Sequence, residues 1–310
     1  MKNIIFMGTP DFSVGVLDTI HEVFNILLVV SQPDKPVGRK RILTPPPVIT
    51  RAQELGLETF QPEKIKDQEA IDYIKSFEPD IIVTAAYGQI LPKSLLEFPK
   101  HRAVNVHASL LPRHRGGAPI HRSIMEGDSE SGVTIMYMEE GLDSGDIISQ
   151  ASTPITADDT TGDLHDRLSE IGASLIVDTL SDIFNDTHTH TPQDDSHVTF
   201  SPNISKEDEK INWQNTAAEV DFHIRGLSPW PGAYSIVEGN RMKFYFSKVG
   251  DKQTDKAPGT IVSDTTDGFL VAAGDGNTVE ILEVQPAGKK RMPASNYINS
   301  KKELIGKIFE

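Results

Sequence analysis

The first two thirds of the chain alternate short apolar runs with longer amphipathic segments, and this alternation restricts the fold more than any other feature. It predicts parallel strands joined by helices, because a helical crossover is the usual connection between parallel strands. The predicted strands are residues 3–7, 24–31, 80–86, 103–107 and 133–138. The predicted helices are residues 12–23, 47–55, 68–77, 118–125 and 164–184. The sequence therefore predicts an α/β, Rossmann-like, doubly wound domain over residues 1–184.

The pattern changes in the last third of the chain. Residues 185–205 are polar, lack periodicity and contain Pro192 and Pro202, so we expect a linker. After one predicted helix at residues 217–225, short strand-like runs recur with turn signals between them. These runs are residues 242–249, 259–262, 269–273 and 278–284. They predict a small, OB-like β-barrel domain over residues 206–310.

Composition limits the chemistry and the cellular setting. The 310 residues include no cysteine, which excludes disulfides, thiolate zinc sites and a cysteine nucleophile. The first strand follows the initial residues directly, without a signal peptide, and no apolar stretch approaches the length of a membrane span. We therefore expect a cytoplasmic protein that does not bind membranes.

The net charge of −15 is distributed unevenly along the chain. Residues 206–310 carry 14 basic and 15 acidic side chains, whereas residues 1–205 carry 16 and 30. Nucleic acid binding requires local positive potential, which a strongly acidic protein would lack. Because the acidic excess is concentrated in the first part, the overall charge does not exclude a nucleic acid partner.

Residues 103–148 contain three polar side chains, Asn105, His107 and Asp143, whose types can move protons or stabilise an oxyanion. Asn105 and His107 alternate with valines, so both should lie on one face of a strand, near its end, where open α/β sheets bind ligands. The structural alternatives are a hydrogen-bonded packing role for His107 and a turn-forming role for Asp143.

The order and spacing of three motifs in this stretch resemble those of the folate-dependent formyltransferases. That family has an Asn-x-His on a strand, a Ser-Leu-Leu-Pro loop and a later Leu-Asp-x-Gly loop. The corresponding residues here are 105–107, 109–112 and 142–145. The resemblance implies that Asn105, His107 and Asp143 are catalytic.

The same resemblance implies that the formyl donor is 10-formyltetrahydrofolate, used as a co-substrate, and that no metal is required. Two loops are implied to hold the folate. Their residues are Ser109, Leu110, Leu111, Pro112, Tyr87, Gly88, Ile90 and Leu91. For the loop around Tyr87, an ordinary turn between a strand and a helix is the alternative. Three positions, Ala108, His114 and Gly117, depart from the residues usual in the family.

Four further segments resemble the branch of the family that formylates methionyl-tRNA: residues 32–41, 113–120, 225–234 and 285–290. This implies transfer of the formyl group to the α-amino group of initiator methionyl-tRNA, for translation initiation. It also implies that the C-terminal domain binds tRNA. A formyltransferase acting on a sugar-nucleotide amine is the alternative. We expect a monomer with no obligatory protein partner.

Two basic clusters are candidates for contact with tRNA. Arg39, Lys40 and Arg41 lie in a segment bounded by prolines, where three cations can approach phosphates without being buried. Arg39 also matches the family position implicated in recognising the acceptor end. Lys289, Lys290 and Arg291 form the second cluster, for which the resemblance implies contact with the tRNA backbone, with Lys289 and Lys290 as the candidate residues. A solvated basic surface is the alternative for both clusters.

Overall fold

The computed structural model describes residues 2–38 and 40–310, so the predicted tRNA contact Arg39 lies outside the described residues. The chain forms two compact units. The first consists of Met1–Gly116, Ser131–Thr153 and His165–Phe200, and the second of Gly117–Glu130, Pro154–Leu164 and Ser201–Glu310. The functional division into residues 1–184, a linker at 185–205 and residues 206–310 stays a prediction.

The strands up to residue 154 include a long run of parallel neighbours. These strands are β1 (Asn3–Gly8), β2 (Asn25–Val30), β3 (Lys35–Val37), β4 (Ile42–Thr44), β5 (Thr59–Phe60), β6 (Ile81–Ala85), β7 (Ala103–His107), β8 (Glu130–Tyr137) and β9 (Ile147–Pro154). Among the described residues, seven of them form one sheet in the order β5-β2-β1-β6-β7-β8-β9. The first five strands of that order pair in parallel, and β8 runs antiparallel to β7. Every residue of β6 is buried, as expected for a parallel strand covered on both faces.

The helices of the same part of the chain are α1 (Phe12–Val23), α2 (Pro47–Glu54), α3 (Gln68–Lys75), α4 (Lys93–Leu96), α5 (Pro119–Met125) and α6 (Thr161–Phe184). In α1, the buried residues Val16, Leu17 and Ile20 recur at helical spacing and form one apolar face. No helix in the described part of the chain is long and apolar enough to cross a membrane.

The order of the strands reverses direction at β1, and this reversal marks the edge of the sheet that is suited to bind a ligand. From β1 the chain proceeds to β2 on one side, and later enters β6 on the other side. Ligands bind open α/β sheets at such a reversal, beyond the carboxyl ends of the strands. Because β7 lies beside β6 and runs parallel to it, Asn105 and His107 are brought to this same edge.

The strands on either side of Lys40 and Arg41 pair with each other as a hairpin. Strands β3 and β4 pair in an antiparallel manner, with Lys35 opposite Thr44 and Val37 opposite Ile42. Every residue of both strands is exposed. Sequence patterns do not predict this hairpin, because neither strand has a buried face to produce an alternating pattern.

The C-terminal part contains an antiparallel sheet and two α-helices among its described residues. The helices are α7 (Ala217–Gly226) and α8 (Ala294–Asn299). The strands are β10 (Ala233–Val237), β11 (Asn240–Gln253), β12 (Ile261–Asp264), β13 (Phe269–Ala272), β14 (Asn277–Pro286) and β15 (Met292–Pro293). The sheet order is β10-β11-β14-β13-β12, and β15 pairs with β14. This order leaves β10 and β12 as the two edges.

The last residues of the chain connect these two edges. The amide of Glu310 donates to the carbonyl oxygen of Ile236 on β10 over 2.8 Å. On the other side, the amide of Ile261 on β12 donates to Lys307, and that of Phe309 donates to Gly259. The two edges are thereby joined as in a small barrel, and the predicted fold class is confirmed: a Rossmann-like first part, followed by antiparallel strands.

Candidate active site

Asn105 and His107 lie at the carboxyl end of β7, as their alternation with valines predicts. His107 is 6% exposed, whereas Asn105 is half-buried. The hydroxyl of Thr84 on β6 donates to Oδ1 of Asn105 over 2.7 Å. This bond fixes the amide orientation and leaves Nδ2 of Asn105 as a hydrogen bond donor at the end of the strand.

The ring of His107 lies between a carbonyl oxygen and a carboxylate. Its Nε2 is 3.0 Å from the carbonyl oxygen of His114, and its Nδ1 is 3.7 Å from Oδ2 of Asp143. A carbonyl oxygen only accepts, so Nε2 carries a proton and donates it to His114. Nδ1 is therefore the nitrogen of His107 that can take up and release a proton, and it faces Asp143.

The carboxylate of Asp143 is held by a backbone amide. The amide of Gly116 donates to Oδ2 over 2.8 Å, and the side chain is 16% exposed. Asp143 has a φ of +47°, a left-handed conformation that costs a non-glycine residue about 1 kcal/mol. Nearby, a Cβ at Gly145 would overlap the carbonyl oxygen of Tyr137. The conformation of this loop is therefore maintained by its contacts with the rest of the unit.

The Ser109–Pro112 loop is fixed by polar side chains from the neighbouring strands. Thr134 on β8 donates to the carbonyl oxygen of Ser109 over 2.7 Å and accepts from the amide of Leu111. Gln150 on β9 donates to the carbonyl oxygen of Leu111 over 2.9 Å. Leu111 is buried, whereas Leu110 and Pro112 are half-buried. These hydrogen bonds give the loop a defined shape.

The loop after β6 combines buried and exposed residues. Tyr87 and Leu91 are 4% and 3% exposed, whereas Ile90 is 67% exposed. Gly88 has a φ of +90°, a conformation that glycine adopts without strain. The hydroxyl of Thr9, in the loop after β1, donates to the carbonyl oxygen of Tyr87 over 2.8 Å. This bond joins the two loops that border the reversal in strand order.

The hydroxyl of Tyr87 is buried and has no hydrogen bond partner among the described residues. Burial raises the pKa of this phenol far above its usual range. The Tyr87 phenol is therefore held in its neutral form.

Two further polar residues, Gln193 and Arg115, lie beside the Asp143 loop and were not predicted from the sequence. Nε2 of Gln193 donates to the carbonyl oxygens of Asp143 and Gly145, both over 2.8 Å. Oε1 of Gln193 accepts from Nε and Nη2 of Arg115, over 3.0 and 2.8 Å. Gln193 lies within the predicted linker, where a polar residue gives no signal of burial or contact. Arg115 lies within residues 113–120, one of the segments that resemble the family, but the resemblance assigns it no role of its own.

Comparison with known proteins matches both parts of the chain to one family. The formyl transferase family matches residues 1–180, and the C-terminal domain of formyl transferases matches residues 203–302. A methionyl-tRNA formyltransferase of Lysinibacillus sphaericus (strain C3-41) is 54% identical, with 100% of each chain covered. The chain belongs to the methionyl-tRNA formyltransferase family. A second family member, from Macrococcus caseolyticus (strain JCSC5402), is 49% identical and covers 100% of this chain and 99% of its own.

Solved structures of similar fold come from other formyltransferases. WlaRD, a sugar 3N-formyl transferase crystallised with dTDP and 5-N-formyl-THF, matches with a TM-score of 0.69 and 20% identity, over 94% of this chain and 99% of its own. An N-formyltransferase from Helicobacter canadensis, in complex with folinic acid and dTDP-3-aminofucose, matches with a TM-score of 0.68 and 20% identity, over 92% and 100%. At this identity, the similarity establishes the fold that the formyltransferase family shares.

The described residues of the two basic clusters are exposed in turns. Lys40 and Arg41 lie at the end of the β3–β4 hairpin, in the first unit. Lys289 and Lys290 lie in the turn between β14 and β15, in the second unit. All four side chains are therefore accessible to solvent.

No cluster of three or more His, Cys, Asp or Glu residues suited to a metal ion occurs in the described part of the chain. His188 and His190 instead bond to neighbouring side chains. Nε2 of His188 lies 2.8 Å from the hydroxyl of Tyr137, and Nδ1 of His190 lies 2.6 Å from Oδ2 of Asp146. These two histidines thus belong to the packing around the end of β8 and the start of β9.

Proposed function

We propose that the protein transfers the formyl group of 10-formyltetrahydrofolate to the α-amino group of methionine on initiator tRNA, for translation initiation. The observation that carries this proposal is the similarity over the whole chain, at 54% and 49% identity, to two methionyl-tRNA formyltransferases. The sugar formyltransferases of similar fold are only 20% identical. The acceptor favoured by the relatives is therefore methionyl-tRNA.

The proposed folate site lies at the carboxyl ends of β6 and β7, next to the catalytic residues. Its proposed contacts are Ser109, Leu110, Leu111, Pro112, Tyr87, Gly88, Ile90 and Leu91. The half-buried Leu110 and the exposed Ile90 offer apolar surface to a planar ring. Tyr87 and Leu91 contribute mainly by fixing the loop, because their side chains belong to the apolar core.

The proposed reaction begins with attack of the neutral α-amino nitrogen on the formyl carbon, which forms a new C–N bond. Negative charge develops on the formyl oxygen of the tetrahedral intermediate, and a preorganised donor stabilises such charge. We assign this role to Nδ2 of Asn105, because Oδ1 already accepts from Thr84. The bond between the formyl carbon and N10 of the folate then breaks, and N10 takes up one proton.

His107 is proposed to carry that proton. Its Nδ1 accepts the proton lost by the attacking amine and donates it to N10, while Nε2 remains bonded to His114. The carboxylate of Asp143 stabilises the imidazolium during the transfer. A free α-amino group has a pKa of about 8, so a useful fraction of the acceptor is neutral at physiological pH.

The proposed tRNA contacts are Arg39, Lys40, Arg41, Lys289 and Lys290. Exposed cations of this kind bind phosphates and release counterions, which favours association. The four described members are exposed, which supports the proposal. We assign residues 206–310 as the tRNA-binding domain. We further propose a cytoplasmic monomer without an obligatory protein partner.

The test is formyl transfer from 10-formyltetrahydrofolate to two acceptors, methionylated initiator tRNA and a dTDP-linked amino sugar. We expect rapid formylation of the tRNA and none of the sugar. Unacylated tRNA provides the control for folate hydrolysis without an acceptor. Formylation of the sugar with no formylation of the tRNA would overturn the proposed acceptor.

A further inference from the structure

The segment that the sequence predicts as a linker lies along the loop that bears Asp143. The backbones of Ile147 and Thr191 exchange two hydrogen bonds of 2.9 Å. One residue earlier, Nδ1 of His190 lies 2.6 Å from Oδ2 of Asp146. Two residues later, Gln193 reaches the loop itself. The contacts therefore continue along this segment, and all of them lie within the first unit.

We propose that Gln193 is a positioning residue that holds the Asp143 carboxylate at its distance from His107. The inference rests on the proposed function, because it concerns the same catalytic residues. Gln193 would act through the backbone of the Asp143 loop, without touching substrate. The predicted linker is then part of the catalytic apparatus.

The hydrogen bonds of Gln193 permit only one orientation of its amide. Both N–H groups point to carbonyl oxygens, those of Asp143 and Gly145, and Oε1 faces the guanidinium of Arg115. Reversing the amide would place oxygen against two carbonyl oxygens and NH₂ against a cation. An amide satisfies both sides at once, whereas a carboxylate of the same shape satisfies only Arg115.

Arg115 links Gln193 to the second contact on Asp143. Its guanidinium is buried, and it bonds to Gln193 and, over 3.3 Å, to Asp195. The next residue along the chain is Gly116, whose amide donates to the Asp143 carboxylate. Gln193 therefore acts on Asp143 twice, directly at the backbone and indirectly through the position of the Arg115–Gly116 backbone.

Contacts with the rest of the unit help to maintain the conformation of Asp143. Its φ of +47° lies in the left-handed region, which costs a non-glycine residue about 1 kcal/mol. Oδ2 of Asp143 is 3.7 Å from Nδ1 of His107, beyond direct hydrogen bonding, so His107 does not hold the carboxylate in place. The restraints identified on this loop are Gly145, Gly116 and Gln193.

The test compares Gln193→Glu with the wild type. Glutamate keeps the size and the Arg115 contact, but it places negative charge against the carbonyl oxygens of Asp143 and Gly145. We expect kcat for formyl transfer to fall by about 10- to 100-fold, with KM for both substrates nearly unchanged, because small displacements of catalytic groups have effects of this size. His197→Ala, an exposed neighbour in the same segment, is the matched control and should keep the wild-type kcat.

A double-mutant cycle separates positioning from a general structural role. If Gln193 acts through Asp143, Gln193→Glu should lower kcat little further in an Asp143→Asn background. Independent, multiplicative reductions would overturn the proposal. A wild-type kcat in folded Gln193→Glu would also overturn it, as would a change confined to KM.

A readout without substrate keeps the inference separate from the proposed reaction. The ¹⁵N chemical shift of His107 Nδ1 reports the nearby carboxylate, and it should change in Gln193→Glu and in Asp143→Asn in the same direction. It should not change in His197→Ala. An unchanged shift in Gln193→Glu would contradict the positioning role, even if the protein proved to formylate a different acceptor. Conversely, a changed shift together with no transfer to tRNA would count against the proposed function alone.

Discussion

His107 and Asn105 divide the proposed chemistry between proton transfer and charge stabilisation. His107→Ala removes the Nδ1 that is proposed to carry the proton, so kcat should fall by about 10²- to 10⁴-fold. Asn105→Ala removes the proposed oxyanion donor and should lower kcat by about 10²- to 10³-fold. Steady-state kinetics measure both effects.

A third variant, Thr84→Val, tests whether the orientation of the Asn105 amide matters for kcat. It leaves Asn105 in place but removes the hydroxyl that orients its amide. We expect an intermediate reduction of kcat. A wild-type rate for Asn105→Ala would rule out its role as oxyanion donor.

A half-buried histidine in the second unit contributes to the pH dependence of stability. Burial, as the largest cause, lowers the pKa of His223 below its usual value of 6.5, and Nε2 donates to the carbonyl oxygen of Asp208 over 2.7 Å. As the pH falls below 6.5, the unfolded chain binds a proton that the folded chain does not. Stability is therefore present above that pH and is lost on acidification toward the folded pKa, with a slope of up to about 1.4 kcal/mol per pH unit.

Thermal unfolding of His223→Gln between pH 7 and pH 5, about the range in which a histidine titrates, measures this contribution. The variant should show a weaker dependence of its free energy of unfolding on pH than the wild type. His197→Gln, at an exposed position, should retain the wild-type dependence. If the free energy of unfolding depends on pH equally in the wild type and in His223→Gln, the acid sensitivity comes from other groups.

At the scale of elements, the two basic turns supply charge where the rest of the chain is acidic. Every described residue of β3 and β4 is exposed, so the two strands contribute nothing to a buried core, and Lys40 and Arg41 between them are exposed as well. The turn before β15 presents Lys289 and Lys290 in a similar way.

Replacing either basic pair by alanine should raise KM for tRNA by about 3- to 30-fold and leave kcat nearly unchanged, because cations that bind phosphates supply binding energy and no chemistry. The slope of log KM against log salt should decrease by about one for each phosphate that the variant no longer binds. Lys252→Ala and Lys256→Ala, exposed positions elsewhere on the second unit, are matched controls. An effect on KM for folate instead of tRNA would contradict the assignment.

The elements also show how far local sequence determines structure. Helix α1 occurs at its predicted bounds, and the predicted helix at 217–225 differs from α7 by one residue. Thr216 and Glu219 form a capping box that specifies the start of α7. In contrast, β9 and β10 were not predicted. Neither sequence has a distinctive apolar pattern, and each strand is formed through its hydrogen bonds to a neighbouring strand.

At the scale of the whole molecule, the second unit depends on residues from the end of the chain. Phe309 is 2% exposed and stacks on Trp213, with ring centroids 5.6 Å apart. It also meets the edge of Phe244 at 5.2 Å. The same tail provides the hydrogen bonds that join β10 to β12, so burial of Phe309 and closure of the sheet depend on each other.

Phe309→Ala should therefore destabilise the second unit by about 3–5 kcal/mol, the usual cost of removing a buried aromatic side chain. Denaturant unfolding measures the change. Ile308→Ala is a matched control, because that side chain is 49% exposed and its removal should cost less than about 1 kcal/mol. Similar destabilisation of the two variants would show that the aromatic cluster is not the main contribution of the tail.

The sequence by itself determined the fold class and the identity of the proposed catalytic groups. Hydrophobic periodicity shows which face of each segment is buried, and this indicates the fold class. The motifs around Asn105, His107 and Asp143 are local in sequence, so they can be recognised in a single chain by their resemblance to the family. Tertiary structure alone decided the Nε2 contact of His107, the left-handed conformation of Asp143 and the contacts of Gln193. Gln193 and Asp143 are 50 residues apart, and no local pattern encodes which polar side chain will meet which carbonyl oxygen. Such contacts arise only when folding brings distant backbone groups together and each buried polar group must find a partner.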